Sequence, residues 1–436
     1  MAEITVMRTP AETRLGEQFK AQAGAGSPAR EAAFATFVDK GLPHRRIEAW
    51  HYTDLRSLWR DAFPPAGAPG ETRVSAARAA LGGAAGPRLV LLNGMFASDL
   101  STLGGLPAGL SITPLLDGLG SSPTTSAPLQ AAEALGKAES VLALNTAFLQ
   151  GGALLTVAAG TRLEQPIEIV SVTTGETPAA VSTRMLVDVG PNASATVVER
   201  HVALGQADRQ GNHTVVFAVG DGATLAHTCE LEGLSAGSIH LGTTLTRLGA
   251  EARFVSFTLV ATLGVVRRQS FLEFAGANAT GRFNGVTLLE GRAHADTTLV
   301  ITHTGTGCES REYYKTILDD ESTGVYQGKV IVAPGAQKTD GKMLSKAVFL
   351  ADGASMYNKP ELEIFADDVV CGHGATVGSL DEDQLFYLRA RGIPLREAQS
   401  LLLNAFAADA VDDVPDEASR DALTGKIQTW LARRHL

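Results

Sequence analysis

The feature that most constrains the fold is a small loop that recurs between residues 143 and 380, in which glycine is followed by alanine and a new alternating strand. It appears as GPNASA (190–195), GDGATLA (220–226), LGAEARF (248–254), AGANATG (275–281), EGRAHAD (290–296), APGAQ (333–337), ADGASM (351–356) and CGHGATV (371–377). The alanines of successive loops are 16 to 43 residues apart, wider than the roughly 8–12 residues of sandwiches. Coils that stack at small-residue corners are typical of a solenoid, and we predict a β-helix over residues 141–380.

The composition of the chain favours such a coil over a helical core. Its 436 residues include 46 glycines, whereas aromatic residues make up only 6%. A narrow interior filled by Val, Ile, Leu and Phe is expected to leave little room for large rings. No apolar run is long or helical enough to supply the crossover helices of a βαβ fold. We therefore expect a mainly β protein.

Residues 1–140 are predicted to form an N-terminal helical or mixed domain. EAAFATFVD (31–39) has the pattern of a short amphipathic helix. Trp50 and Trp59 lie within ten residues of each other in an aromatic-poor chain, and they are expected to anchor a small helical unit. RLVLLNGMF (88–96) is a predicted strand that ends in an Asn-Gly turn.

Two loose segments interrupt this N-terminal region. FPPAGAPGET (63–72) is rich in proline and glycine and predicts a linker, and GLGSSPTTSAP (118–128) has a similar character. A short helix is expected around residues 129–138, before the repeated strands begin.

The tail, residues 381–436, is predicted to be a C-terminal helical domain. Asp381, with Gln384 three residues later, resembles a capping box, and Gly392 is expected to end the helix that follows. Pro394 opens a second amphipathic helix, and a third follows. These helices are expected either to cover the open end of the solenoid or to provide a docking surface, because three helices exceed what capping requires.

Charge and cysteine content narrow the class of protein further. The net charge of −10 disfavours nonspecific binding to nucleic acids or to anionic membranes. The three cysteines are far apart and odd in number, so no disulfide framework is expected. The N-terminus lacks a signal-peptide pattern, and no apolar run reaches the roughly 18–20 residues of a membrane span. These features predict a cytoplasmic protein.

Motifs of common enzyme classes are missing, and the paired acidic residues are weak candidates. The chain contains no Walker A loop, Rossmann fingerprint, nucleophile elbow or Cys-x-x-Cys pair. The doublets Asp319–Asp320 and Asp367–Asp368 would suit a polysaccharide lyase or hydrolase, but neighbouring strand residues face opposite ways, so solvated turns are the favoured interpretation. His294, His303 and Cys308 are expected to be polar residues on outward strand faces.

Cys371 and His373 form the strongest candidate site. Two residues apart on an extended strand, they lie on the same face, and glycines at 372 and 374 leave room beside them. A thiolate and an imidazole suit zinc, copper or an iron–sulfur species, but two ligands are too few for a closed tetrahedral site. The pair therefore indicates an incomplete site, finished by another chain or a transient guest. A buried cysteine packed beside a hydrogen-bonded histidine is the alternative.

The segment 338–393 resembles the C-terminal core of the SufB/SufD family of iron–sulfur cluster assembly proteins. The runs QKTD (337–340), PELEI (360–364) and HGATVG (373–378) carry the resemblance. RRIEAWHYTDL (45–55), together with the NGMF strand and CGHGATVG, is similar to the SufD type rather than the SufB type. His51 departs from the lysine more frequent at its position in the family.

This resemblance implies a right-handed parallel β-helix flanked by helical domains. It implies partnership with a SufB-type paralogue and with a SufC-type ABC ATPase that docks on the C-terminal helices. The family's interface ligands map to Cys371 and His373, which would share a nascent, transient iron–sulfur cluster with SufB. We therefore predict a non-catalytic scaffold subunit that binds no nucleotide. The alternatives are a β-helix polysaccharide lyase or hydrolase, a SufB-like scaffold that carries clusters itself, and a structural partner; a homodimer in isolation is also possible.

Overall fold

The computed structural model describes residues 8–22, 27–115 and 125–433. The helices are α1 (Pro10–Ala21), α2 (Pro28–Lys40), α3 (Leu55–Leu58), α4 (Glu71–Leu81), α5 (Ala127–Ala134), α6 (Ser140–Ala147), α7 (Glu382–Ala390), α8 (Leu395–Val411) and α9 (Glu417–Arg433), with 3-10 turns at Glu48–Trp50 and Ser98–Leu100. Among the described residues, no helix is both long and apolar enough to cross a membrane.

The described residues also contain nineteen strands. They are β1 (Arg88–Leu92), β2 (Met95–Phe96), β3 (Leu110–Leu115), β4 (Gly151–Val157), β5 (Ile167–Thr174), β6 (Ala179–Val189), β7 (Ser194–Leu204), β8 (Arg209–Val219), β9 (Thr224–Glu232), β10 (Ile239–Leu248), β11 (Arg253–Thr262), β12 (Val265–Phe274), β13 (Thr280–Leu289), β14 (His294–His303), β15 (Glu309–Leu318), β16 (Thr323–Val332), β17 (Asp340–Phe349), β18 (Ser355–Ile364) and β19 (Val370–Gly378).

The strands from β4 onward wind into a two-sheet parallel solenoid. Sheet I has the order β19-β17-β15-β13-β11-β9-β7-β5-β1-β2, and sheet II has the order β18-β16-β14-β12-β10-β8-β6-β4-β3. Each coil adds one strand to each sheet, so that Thr224 pairs with Arg253 of the next coil and Arg253 with Thr280. The eight coils of about 30 residues confirm the predicted parallel β-helix with helical flanks.

One corner of the coil is built from a column of left-handed backbone conformations. The column comprises Asn192, Gly222, Glu251, Asn278, Gly307 and Lys338. In these six residues, and in Asp320 at the opposite corner, φ lies between 54° and 70°. The amide of each donates to a carbonyl of the following coil, as from Asn192 to Asp221 at 2.8 Å. Glycine, asparagine and a few polar residues adopt this conformation at low cost, which explains the repeated loop composition.

The residue after each left-handed position is small and buried. It is Ala193, Ala223, Ala252, Ala279, Cys308 and Thr339 in successive coils. The regular repeat therefore runs through alanines 252 and 279 rather than 250 and 277. The irregular spacing in the sequence arose because EGRAHAD and ADGASM lie at the opposite corner, before β14 and β18. The prediction of a corner loop at CGHGATV is wrong, because these residues lie within β19.

Phenylalanine fills the solenoid interior as expected, but the larger rings of Tyr314 and Tyr326 also lie there, with centroids 5.3 Å apart. Phe217 and Phe254 have ring centroids 5.5 Å apart, and Phe283 lies 5.9 Å from Phe254 in the next coil. These rings belong to the central apolar core together with Val, Leu and Ile side chains from both sheets. The low aromatic content is therefore not a consequence of steric exclusion from the coil.

Helices α1, α2, α5 and α6 cover the outer face of sheet II, whereas α4 packs against β1 and β5 of sheet I. Trp50 and Trp59 are buried in a cluster with Phe37 of α2 and Leu241 of β10, which confirms their predicted packing role. The predicted strand at 88–96 forms the hairpin β1–β2 around its Asn-Gly turn. The β1 strand pairs with β5 and β3 pairs with β4, so both sheets continue into this region. Residues 116–124, most of the second loose segment, lie outside the described residues.

Helices α8 and α9 lie along the outer face of sheet I. Leu403 of α8 and Leu423 of α9 pack in a cluster with Leu288 of β13 and Ile317 of β15. Asp381 caps α7 by accepting from the amide of Gln384 at 3.0 Å, as predicted. Of the two alternatives expected for these helices, a cover over the open solenoid end is wrong for α8 and α9, because their apolar contacts are to the flank of the coil. Strands β18 and β19 remain the last members of their sheets within the described chain.

Candidate functional site

Cys371 and His373 lie on β19, the edge strand at the open end of sheet I. In the parallel register with β17, Cys371 is opposite Gly341 and His373 is opposite Met343. Cys371 is half-buried and His373 is exposed. The pair is therefore on one strand and in alternate positions, as the sequence predicted, and the side of β19 away from β17 has no strand partner in the described structure.

The Cys371 thiol packs against the end of the solenoid interior. It contacts the central apolar core, and a side-chain carbon built on Gly341 would lie 3.5 Å from its sulfur. Burial raises the pKa of the thiol, with a further increase from the charge of Asp340, while a hydrogen bond from the Gly341 backbone opposes the shift. Cys371 is thus a thiol at neutral pH until a metal ion or a nearby cation favours its ionisation.

A cavity of about 580 Å³ adjoins the pair on the flank of sheet I. Its lining includes Arg282, Arg311, Lys342, Cys371, His373 and Asp413. Arg311 and Lys342 share the carboxylate of Asp340 at 2.7 and 3.2 Å. Asp413, at the start of the turn between α8 and α9, lies 3.5 Å from Arg282. The cavity therefore joins the edge strand to the C-terminal helices through charged groups.

Glu312 lines the same cavity and was missed in the sequence analysis. Its side chain is 2% exposed, and Oε2 accepts a hydrogen bond from the Tyr326 hydroxyl at 2.7 Å, while Oε1 has no partner. Burial raises the pKa of this carboxyl to about 7. A signal was present in the sequence, since Ser310, Glu312 and Tyr314 occupy alternate positions of one strand and all face inward.

The other residues singled out in the sequence have structural roles. His303 is fully buried, stacks on Phe274 at 4.3 Å between centroids and contacts the Ser310 hydroxyl at 3.0 Å. The expectation that His303 and Cys308 face outward is therefore wrong, and Cys308 is a small corner residue. His294 lies 2.9 Å from the Thr53 hydroxyl.

The acidic doublets lie in irregular segments between strands, at 319–320 and 367–368, which confirms the favoured interpretation as turns. The converging strand-face carboxylates that a polysaccharide lyase requires are not supplied by either doublet.

Fold and site together define a β-solenoid protein whose candidate ligands lie on an open sheet edge. Residues 171–406 match the model of the SufBD core domain of SUF system FeS cluster assembly, and residues 21–169 match that of the SufBD protein N-terminal region. The chain belongs to the SufBD family of iron–sulfur cluster assembly proteins.

Curated relatives are similar along nearly the whole chain. The iron-sulfur cluster assembly protein SufD of Escherichia coli is 30% identical over 413 residues, which cover 94% of each chain. A SufBD family protein of Synechocystis is 31% identical over 389 residues, 86% of this chain and 84% of its own. SufD of Bacillus subtilis is 28% identical over 292 residues, 66% and 65% of the two chains. The predicted similarity to the SufD type is confirmed.

Proposed function

We propose that this chain is a non-catalytic scaffold subunit that pairs with a SufB-type paralogue at the open solenoid edge. Cys371 and His373 would supply one half of a shared site on which a nascent iron–sulfur cluster is assembled as transient cargo. A SufC-type ATPase would dock on the C-terminal helices. The single observation that carries the proposal is the placement of a thiol and an imidazole on an unpaired edge strand.

The open edge has the properties of a partner surface. An edge strand presents unpaired backbone amides and carbonyls, and a second chain can complete them by adding its own strand. Val370 of β19 is 61% exposed and Phe365, which follows β18, is 63% exposed. Large exposed apolar side chains beside an unpaired edge are normally covered by a partner. These features support pairing through β18 and β19.

The chemistry of the pair supports a divided site. Cys371 and His373 provide two of the four ligands of a tetrahedral metal centre, so a partner must provide the rest. Arg282, Arg311 and Lys342 surround the adjoining cavity and carry N–H donors suited to anionic sulfur. A partner ligand set placed opposite β19 would complete the site without rearrangement of the solenoid.

The C-terminal helices offer a separate surface for the ATPase. The α7 helix buries none of its side chains, and its Phe386 and Tyr387 are 74% and 55% exposed. Leu401 of α8 is 46% exposed on the side of the helix away from the sheet contacts of Leu403. Asp409 of α8 also forms an ion pair with Lys315 of β15. Movement of these helices would therefore be transmitted to sheet I.

Co-expression with SufB and SufC tests the proposal. We expect a His373→Ala chain to assemble the complex but to lose cluster maturation, measured as visible absorbance and transfer to an apo-ferredoxin. Val370→Lys places a charge on the exposed edge and should weaken SufB association. His51→Ala, an exposed histidine of the N-terminal region, is the matched control and should behave as the wild type.

A His373→Ala complex that matures clusters at the wild-type rate would refute the ligand assignment. Undiminished SufB binding by Val370→Lys would refute pairing through this edge.

A further inference from the structure

Three histidines converge inside the solenoid, far along the coil from the open edge. His201 lies on β7 of sheet I, whereas His213 and His240 lie on β8 and β10 of sheet II. All three are buried, and their ring centroids are 4.5 to 4.9 Å apart. One potential ligand atom from each lies within 4.8 Å of the other two. The imidazoles therefore face one another across the two sheets.

Hydrogen bonds fix one nitrogen of two of the rings and leave the other nitrogen of each for a ligand. His201 Nε2 donates to Glu199 Oε1 at 2.7 Å, which leaves Nδ1 with its lone pair. His213 Nδ1 contacts the Thr183 hydroxyl at 2.8 Å, which leaves Nε2 on the opposite side of the ring. Carboxylate and hydroxyl partners of this kind hold metal-binding histidines in the correct tautomer and orientation.

The third histidine has an unsatisfied ring nitrogen. His240 Nε2 is buried without a hydrogen-bond partner. Leaving a buried polar atom unpaired costs about 1–3 kcal/mol, so such atoms in folded proteins call for an explanation. A metal ion bound at His240 Nε2 would supply the missing partner.

The backbone around the rings leaves space for an ion. A side-chain carbon at Gly211 would lie 2.6 Å from His213 Nε2 and 3.4 Å from His240 Nδ1, so only glycine keeps this volume open. The rings also line a small, partly open cavity of about 20 Å³. This is close to the volume that a single water molecule or ion occupies.

The surrounding charges suit a divalent cation. Glu199 is buried beside the group and accepts hydrogen bonds from both His201 and His227, the latter at 3.2 Å. A buried cation, Arg268, also lies near His240, and its guanidinium contacts the Cys229 sulfur at 3.0 Å. Three imidazoles with one adjacent carboxylate match the donor preference of Zn²⁺ and Fe²⁺.

We propose that His201, His213 and His240 form a binding site for one divalent transition-metal ion, Zn²⁺ or Fe²⁺, inside the solenoid. Metal–nitrogen bonds of about 2.0–2.1 Å in tetrahedral geometry place ligand nitrogens about 3.4 Å apart, so the rings close inward on binding. Glu199 and Thr183 are positioning residues. The site does not include Cys371 or His373, so a test that refutes it leaves the proposed scaffold function unaffected, and the reverse also holds.

The test uses the full chain, freed of any purification tag and stripped of metal, in a Cys371→Ser/His373→Ala background that removes the edge ligands. Zn²⁺ affinity is measured by competition with a chromogenic chelator, and Co²⁺ absorption together with X-ray absorption reports the ligand set. We expect one equivalent bound by nitrogen and oxygen donors. His240→Gln should weaken Zn²⁺ binding at least about 100-fold, and Glu199→Gln about 10–100-fold.

Two further variants separate ligation from folding. Gly211→Ala intrudes on His213 Nε2 and should also weaken binding, whereas His303→Gln removes a buried histidine outside the group and should leave it unchanged. Metal should raise the unfolding temperature of the background chain and of His303→Gln but not of His240→Gln. Absence of stoichiometric binding, or equal affinity in His240→Gln, would overturn the assignment. Sulfur ligation in the X-ray absorption spectrum would overturn it as well.

Discussion

Tyr326 donates its hydroxyl hydrogen to Glu312 across the interior of the solenoid, with 2.7 Å between the oxygens. The two residues lie on opposite sheets, on β16 and β15, and both are buried. Tyr326 is the only hydrogen-bond partner of this carboxyl among the described residues, and the second carboxyl oxygen has none. The hydrogen bond stabilises the ionised carboxylate less than desolvation destabilises it. The pKa of Glu312 is therefore raised to about 7.

The raised pKa of Glu312 makes stability depend on pH. Between its ordinary value of 4.5 and about 7, the folded state binds a proton that the unfolded state releases. The free energy of unfolding contributed by this group is therefore fully present below 4.5 and is lost as the pH rises through 7. The loss is about 3 kcal/mol. Glu312→Gln, which keeps an acceptor for Tyr326, should remove this dependence.

Urea unfolding of the wild type and Glu312→Gln at pH values from 4.5 to 8 provides the measurement. The variant should gain about 3 kcal/mol relative to the wild type across this interval. Identical pH profiles would show that the folded state does not perturb this carboxyl.

A buried ion pair fastens the N-terminal region to the solenoid. Arg267 of β12 pairs with Asp296 of β14, donates to the Ala49 carbonyl at 2.8 Å and stacks 3.9 Å above the centre of the Trp50 ring. Asp296→Ala leaves the guanidinium buried without its carboxylate, so we expect a loss of about 3–5 kcal/mol in stability. Thermal or urea unfolding measures it. Proteolytic sensitivity near Trp50 should rise as the segment detaches.

The exposed pair Arg292–Glu321 is the matched control for this ion pair. Its groups lie 3.3 Å apart and are 87% and 66% exposed. Glu321→Ala should change stability by less than about 0.5 kcal/mol. Equal effects of the two alanine variants would contradict an anchoring role for Asp296.

Local sequence signals predicted the architecture well because the coil repeats a local rule. The Asn93-Gly94 dipeptide specified the β1–β2 hairpin, and Asp381 specified the start of α7. The glycine–alanine loops indicated corners, although two different corners use similar residues and their spacing was therefore irregular. The pattern failed at the edge strand, because CGHGATV has the composition of a corner loop but lies within β19.

The side chains that converge inside the solenoid were harder to predict than the fold. His201, His213 and His240 come from three strands, and their proximity depends on coil length and on which face each side chain takes. Insertion of a single corner residue would change both the coil length and the face that each side chain takes. Sequence spacing alone therefore could not reveal the three-histidine group. The C-terminal helices were misplaced for a related reason: amphipathicity shows that α8 packs but does not identify the face of the solenoid that receives it.

Cys371 should be the only cysteine that reacts readily in the folded chain. Cys229 and Cys308 are fully buried, whereas Cys371 is half-buried. Because burial raises its thiol pKa, we expect Cys371 to react more slowly than free cysteine at pH 7.4. Titration with a chromogenic disulfide should find one reactive thiol in the native chain and three in denaturant. Cys371→Ser should abolish the native reaction, and an unchanged native count would contradict this assignment.

Variants of two leucines in α8 test the packing role and the proposed docking role of this helix separately. Leu403 is fully buried against sheet I, whereas Leu401 is 46% exposed. Leu403→Ala should destabilise the chain by about 2–5 kcal/mol because it leaves a cavity. Leu401→Ala should change stability by less than about 0.5 kcal/mol yet weaken SufC binding by about tenfold if this face receives the ATPase. Urea unfolding and calorimetric titration of the ATPase measure the two effects; wild-type affinity in Leu401→Ala would move the docking surface to another part of the chain.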